Sequence, residues 1–156
     1  MTLLFLPTHQ DFNLSSTLTS HGWVVLAPNQ YVREENSFSR IEPLPSGQVA
    51  RLTVSSAHQA PDTSIEVRVE CPGKLGDKDK AYIESITRHM LRLDEDYTEF
   101  HAQCADRGGV WAELTGGKGR MLRSPTLFED LVKVICTTNI QWGGTKRMVR
   151  ELVDAY

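Results

Sequence analysis

The sequence predicts an α+β fold, an antiparallel sheet with packed helices, and three observations predict it. Ile65-Glu66-Val67-Arg68-Val69-Glu70 alternates strictly, which puts Ile65, Val67 and Val69 on one face of a strand. Turn clusters at Pro43-Leu44-Pro45-Ser46-Gly47 and Ala60-Pro61-Asp62-Thr63 separate short β-prone runs, so neighbouring strands pair antiparallel through short connections. Past residue 77 the period changes: Tyr82, Ile83, Ile86, Met90 and Leu91 recur at helical spacing.

Each element has its own local reason. Phe12-Asn13-Leu14 leads into a short helix over Ser15–Ser20, with Asn13 suited to its N-cap. Trp23-Val24-Val25-Leu26 reads as a short apolar strand stopped by Pro28. Phe38–Glu42 and Val49–Val54 read as strands, and Ile65–Glu70 as a third. A helix starts at Asp77 or Asp79. Asp94-Glu95-Asp96 suits the positive end of a second, which carries Tyr97, Phe100, His101 and Cys104 and ends at Arg107-Gly108-Gly109. Val110–Leu114 is a short helical turn, and Thr115–Gly119 a flexible loop. Thr126-x-x-Glu129 is a capping box. The helix it opens is apolar around much of its circumference through Leu127, Phe128, Leu131, Val132, Val134 and Ile135, so it is expected to be buried. Gly143-Gly144 is expected to break the chain before an amphipathic helix from Thr145 onward. The organisation that follows is an α+β domain over residues 1–122 and the start of a helical domain over 123–156.

Composition narrows the function classes. The 156 residues are 40% hydrophobic and 24% charged, which is globular. No apolar run approaches the roughly 20 residues of a membrane-spanning helix, so no membrane partner is expected. Met1–Leu6 is apolar but has no basic flank and meets Pro7, so it is not read as a signal peptide. Three scattered cysteines, Cys71, Cys104 and Cys136, fit a reducing cytosol. The net charge of −3 conceals an asymmetry. Residues 1–117 carry ten basic and sixteen acidic side chains, whereas 118–150 carry seven basic and two acidic. Fields are screened within about 8 Å at physiological salt, so the basic segment can meet a polyanion on its own.

Several motifs are excluded by their spacing. Gly116-Gly117-Lys118-Gly119 lacks the spacing and the Ser/Thr of a phosphate loop. His101-x-x-Cys104 supplies two ligands where zinc takes three or four. No serine sits in a Gly-x-Ser-x-Gly elbow. The adjacent carboxylates Asp94, Glu95 and Asp96 point apart on a helix and read as a solvated cap. No cofactor, metal or catalytic residue is assigned. The segment 135–150 differs, because a helix end there delivers Thr138, Asn139, Gln141 and Trp142, with Lys146 and Arg147 close behind. Amides read base edges, an indole stacks and cations neutralise phosphates. A polar helix–helix turn explains the same residues, with Asn139 as a structural cap.

Met90–Phe100, followed by Gly119-Arg120-Met121-Leu122-Arg123-Ser124-Pro125-Thr126-Leu127-Phe128-Glu129 and Cys136-Thr137-Thr138-Asn139, resembles the helix-hairpin-helix DNA glycosylase superfamily, most of all its 8-oxoguanine and 3-methyladenine branches. The resemblance implies an N-terminal sheet domain like the TATA-binding protein, followed by the first helices of an all-α domain. It implies base-excision repair of double-stranded DNA, in which a damaged nucleotide is flipped out and its N-glycosidic bond cleaved. Asn139 would then face the orphaned partner base. The location implied is cytoplasmic, of bacterial type, at the nucleoid. The family's helix-hairpin-helix motif, catalytic aspartate and lyase lysine are expected beyond Tyr156, so no catalytic role is carried over. The alternative is a complete, non-catalytic DNA- or protein-binding module using the 138–150 surface. Self-association through an unpartnered 126–139 helix is a further expectation.

Overall fold

The structure, a computed structural model, describes residues 1–57 and 64–155. It is α+β. Five strands form one antiparallel sheet: β1 (Thr2–Pro7), β2 (Gln30–Val32), β3 (Ser37–Pro43), β4 (Val49–Ser56) and β5 (Ser64–Glu70). Their order is β1-β5-β4-β3-β2. Among the described residues, five α-helices accompany them: α1 (Leu14–Leu18), α2 (Asp77–Leu91), α3 (Thr98–Arg107), α4 (Leu127–Ile135) and α5 (Trp142–Ala155).

The register explains the layering. β4 and β5 pair Leu52 with Val69 and Val54 with Val67, so one sheet face is continuous and apolar. Ile83, Met90 and Leu91 of α2 lie on that face with Leu14 and Leu18 of α1, all buried. α1 is capped as expected: the Asn13 side chain accepts from Ser16 N at 2.9 Å. At the start of α2, Asp79 accepts from Gly76 N at 3.4 Å and from Ser46 N at 3.0 Å. The cap thereby also ties the β3–β4 turn to the helix.

Three expectations are corrected, and two strands are added. Trp23–Val25 is a single 3-10 turn and not a strand. Gly22 enters it with φ +85°, and Leu26 N bonds back to Trp23 O at 3.0 Å, so the apolar run curls. The first and second strands in the chain, β1 and β2, carry no strand pattern in the sequence. β1 is apolar on both faces, with Leu3 and Phe5 outward and Leu6 buried, and so shows no period of two. Gly143-Gly144 does not break the chain, because α5 already starts at Trp142 and holds both glycines in its first turn. Finally, α4 is not buried: Leu127, Phe128 and Ile135 are 72%, 77% and 67% exposed. The expected turn at Ala60–Thr63 lies outside the described residues.

Candidate nucleic-acid interface

The residues singled out in the sequence come together at one end of the helical pair. α4 ends on Cys136. Two threonines then turn their hydroxyls back onto it: Thr137 Oγ1 donates to Val134 O at 2.6 Å and Thr138 Oγ1 to Ile135 O at 2.7 Å. Asn139 takes φ +53°, the left-handed conformation that asparagine tolerates better than most residues. Ile140 lies directly over Gly144, where any Cβ would collide with it. This close approach is why a glycine occupies that position in the first turn of α5. Gln141 O accepts from Gly144 N at 2.8 Å and Thr145 N at 3.1 Å and starts α5. The buried Thr145 hydroxyl donates to Cys136 O at 3.0 Å and closes the turn.

The turn leaves its chemistry outward. Thr138, Asn139, Gln141, Lys146 and Arg147 are all exposed, and Trp142 is 41% exposed. Among the described residues, none bonds the side-chain amide of Asn139 or Gln141. Asn139 therefore fills a left-handed position with its backbone and keeps its amide free, but it is exposed and lies beyond the Cys136 cap, so it is not a buried cap of α4. Lys146 and Arg150 stand one turn apart on α5. Arg147 reaches Glu151 only loosely, at 3.9 Å. Trp142 lays one edge of its indole over Gly22, where a Cβ would lie 3.2 Å from Cζ2. Not every cation of the basic segment is available, since Arg120 and Lys133 are buried.

Lys133 belongs to a second constellation that the sequence did not announce. On β3, Phe38, Arg40 and Glu42 share the inward face, and the apolar Ile41 points out at 42% exposure. Arg40 is 3% exposed and reaches three partners. Its Nε donates to Glu42, its Nη1 to Asn29 Oδ1 at 3.1 Å, and its guanidinium fork to both oxygens of Glu129 at 3.2 and 2.9 Å. Lys133 Nζ donates to Glu129 Oε1 at 2.6 Å and to Ser124 Oγ at 3.2 Å. It also lies 5.7 Å from the Trp23 ring centroid. Burial pushes the Glu42 carboxyl up, and Arg40 opposes this only in part. Burial pushes on Glu129 too, but the Arg40 hydrogen bonds and charge, aided by Lys133, bring it below its usual value. Burial lowers the Lys133 ammonium despite Glu129. Glu129 thus leaves the capping box half made. Thr126 Oγ1 accepts from Glu129 N at 3.2 Å, while the Glu129 carboxylate turns to the sheet. The available signal was phase: Arg40 and Glu42 stand two and four residues after Phe38, on the core side of the strand.

The cluster floors an apolar groove of about 800 Å³ between α4, α5 and the Ala27-Pro28 segment. No group of three or more metal-ligating side chains, and no helix long and apolar enough to cross a membrane, occurs among the described residues. No family model, no curated protein and no solved structure matches the chain.

Proposed function

We propose that this chain carries the N-terminal part of a DNA N-glycosylase of the helix-hairpin-helix superfamily, with a sheet domain like the TATA-binding protein followed by the first helices of the glycosylase domain. The observation that carries the reading is the 136–141 turn. It projects a free Asn139 amide, a free Gln141 amide and a half-exposed Trp142, with Lys146, Arg147 and Arg150 on the adjoining helix. Amides and an indole suit an unstacked base pair, and the cations suit the flanking phosphates. The sequence likeness around Leu93-Asp94, Phe128-Glu129 and Cys136–Asn139 supports the same class. The apolar side of α4 is solvent-facing, as it would be where further helices of such a domain pack. In this role the chain works in the cytoplasm, at the DNA.

Binding to a short duplex with a central abasic site, followed by fluorescence anisotropy across a salt series, tests the reading. The wild-type chain binds, and Lys146→Ala plus Arg147→Ala weakens binding and lowers the log–log salt slope by about two. An affinity and slope unchanged by the double substitution would remove the surface from the proposal.

A further inference from the structure

Helix α4 is not seated on the sheet by its apolar side. Leu127, Phe128, Leu131 and Ile135 are between 53% and 77% exposed. Val132 and Cys136 turn inward, onto a small cluster with Leu26 and Val149. Two apolar side chains in a small patch fix the distance of a helix better than its rotation, because dispersion contacts are non-directional. The directional link from sheet to helix is ionic. The Arg40 fork grips both Glu129 oxygens, and each partner is held in turn: Arg40 by Glu42 and Asn29, Glu129 by Lys133, and Lys133 by Ser124.

We propose that the buried Arg40–Glu129 pair is an ionic latch that sets the orientation of α4 on the sheet and, through it, the position of the 136–141 turn. A bidentate pair fixes angle as well as distance. A buried ion pair adds little net stability over an apolar pair of the same shape, yet removal of one partner strands a buried charge, so its contribution is to geometry. The route from latch to turn is short. Glu129 lies in the first turn of α4, the Cys136 cap lies roughly 10 Å further along by helix rise, and the Thr145–Cys136 bond holds the start of α5 to the end of α4. Arg40 and Glu129 are positioning residues in this scheme.

Trp142 reports the seat directly, because its indole rests on Gly22, outside both helices. The chain labelled with 5-fluorotryptophan gives one fluorine resonance for each of its three tryptophans, Trp23, Trp111 and Trp142. With Glu129→Gln, the Trp142 resonance moves or broadens and the Trp111 resonance stays. Amide exchange over 127–150 accelerates by about tenfold or more, while β4 and β5 keep their rates, as loss of a charge-assisted pair at one site requires. Arg40→Met gives the same pattern, and the two substitutions combined do no more than either alone, since both open one latch. Arg40→Lys, which keeps the charge but loses the fork, gives a smaller shift of the same sign. An unmoved Trp142 in Glu129→Gln, additive effects in the double variant, or equal acceleration throughout the chain overturns the latch. No DNA enters this experiment, so its outcome is independent of the proposed function.

Discussion

Glu129 answers to two demands on its carboxylate. Its place three residues after Thr126 suits the return half of a capping box, which would satisfy an orphan amide at the start of α4. It gives that bond up for Arg40 and Lys133, and Thr126 alone caps the helix. The exchange leaves a signature in pH. Glu129 is held below 4.5 in the folded chain, so its contribution to stability is present above 4.5 and is lost as pH falls through its folded value. Glu42 has the opposite sign, since burial raises it. Its contribution is full below 4.5 and is lost as pH rises through its folded value. His21 acts at higher pH. Burial first of all, and the Lys133 charge, lower it below 6.5 against the pull of Asp130, so the unfolded chain takes up that proton first. Stability is therefore lost as pH falls from about 6.5 toward the folded value of His21. Urea midpoints measured from neutral to acid pH are expected to show this decline in the wild type. His21→Gln is expected to flatten that limb and keep the later loss below about 4.5. A wild-type decline that His21→Gln leaves intact places the proton elsewhere.

At the level of elements, α4 is the exposed one. Its hydrophobic spacing is that of a buried helix, yet of its apolar side chains its neighbours cover only Val132 and Cys136, beside the charged Glu129, Asp130 and Lys133. Leu131 and Ile135, one turn apart, lie in a solvent-facing stripe with Phe128. Such a stripe associates, so light scattering is expected to show concentration-dependent self-association of the wild type. Leu131→Gln plus Ile135→Gln is expected to abolish it while shifting the thermal midpoint little, because neither side chain loses a buried contact. A wild type that stays monomeric at high concentration contradicts this. The same helix shows what the sequence could and could not tell. Its existence, its Thr126 cap and its end near Cys136 follow from local chemistry, and so do β3, β4, β5, α1, α2 and α3. Its exposure does not, because a period reports the width of an apolar face and says nothing of what covers it. The expected strand over Trp23–Leu26 is a 3-10 turn for a related reason: five apolar residues between Gly22 and Pro28 suit a half-buried 3-10 turn as well as a strand. The exposed half of the candidate site was legible as a cluster because Thr138, Asn139, Gln141, Trp142, Lys146 and Arg147 lie close in sequence. The Arg40–Glu129 half was not, since its partners stand 89 residues apart and meet only through the fold.

For the whole molecule, stability is divided unevenly. The main cluster joins the inner sheet face to α1 and α2, with Leu52, Val54, Val67, Ile83 and Leu91 fully or almost fully buried. The second cluster has only Leu26, Cys136 and Val149 at its centre. Two cores of such unequal size open separately, and the smaller one opens at lower free energy. Native-state hydrogen exchange on the wild type is therefore expected to give α4 and α5 amides a common, lower opening free energy than β4 and β5 amides. Salt separates the forces at work in the smaller unit. At about 1 M salt the screening length falls to about 3 Å, which removes long-range attraction between exposed charges but reaches a buried pair far less. The Lys146 and Arg147 surface is exposed, whereas Arg40 is almost wholly enclosed. Raising salt to that level is thus expected to abolish the proposed duplex binding and leave the α4–α5 exchange rates nearly unchanged. If exchange in α4 and α5 rises over the same salt range, the helices are held by exposed charge, and the buried latch does not orient them.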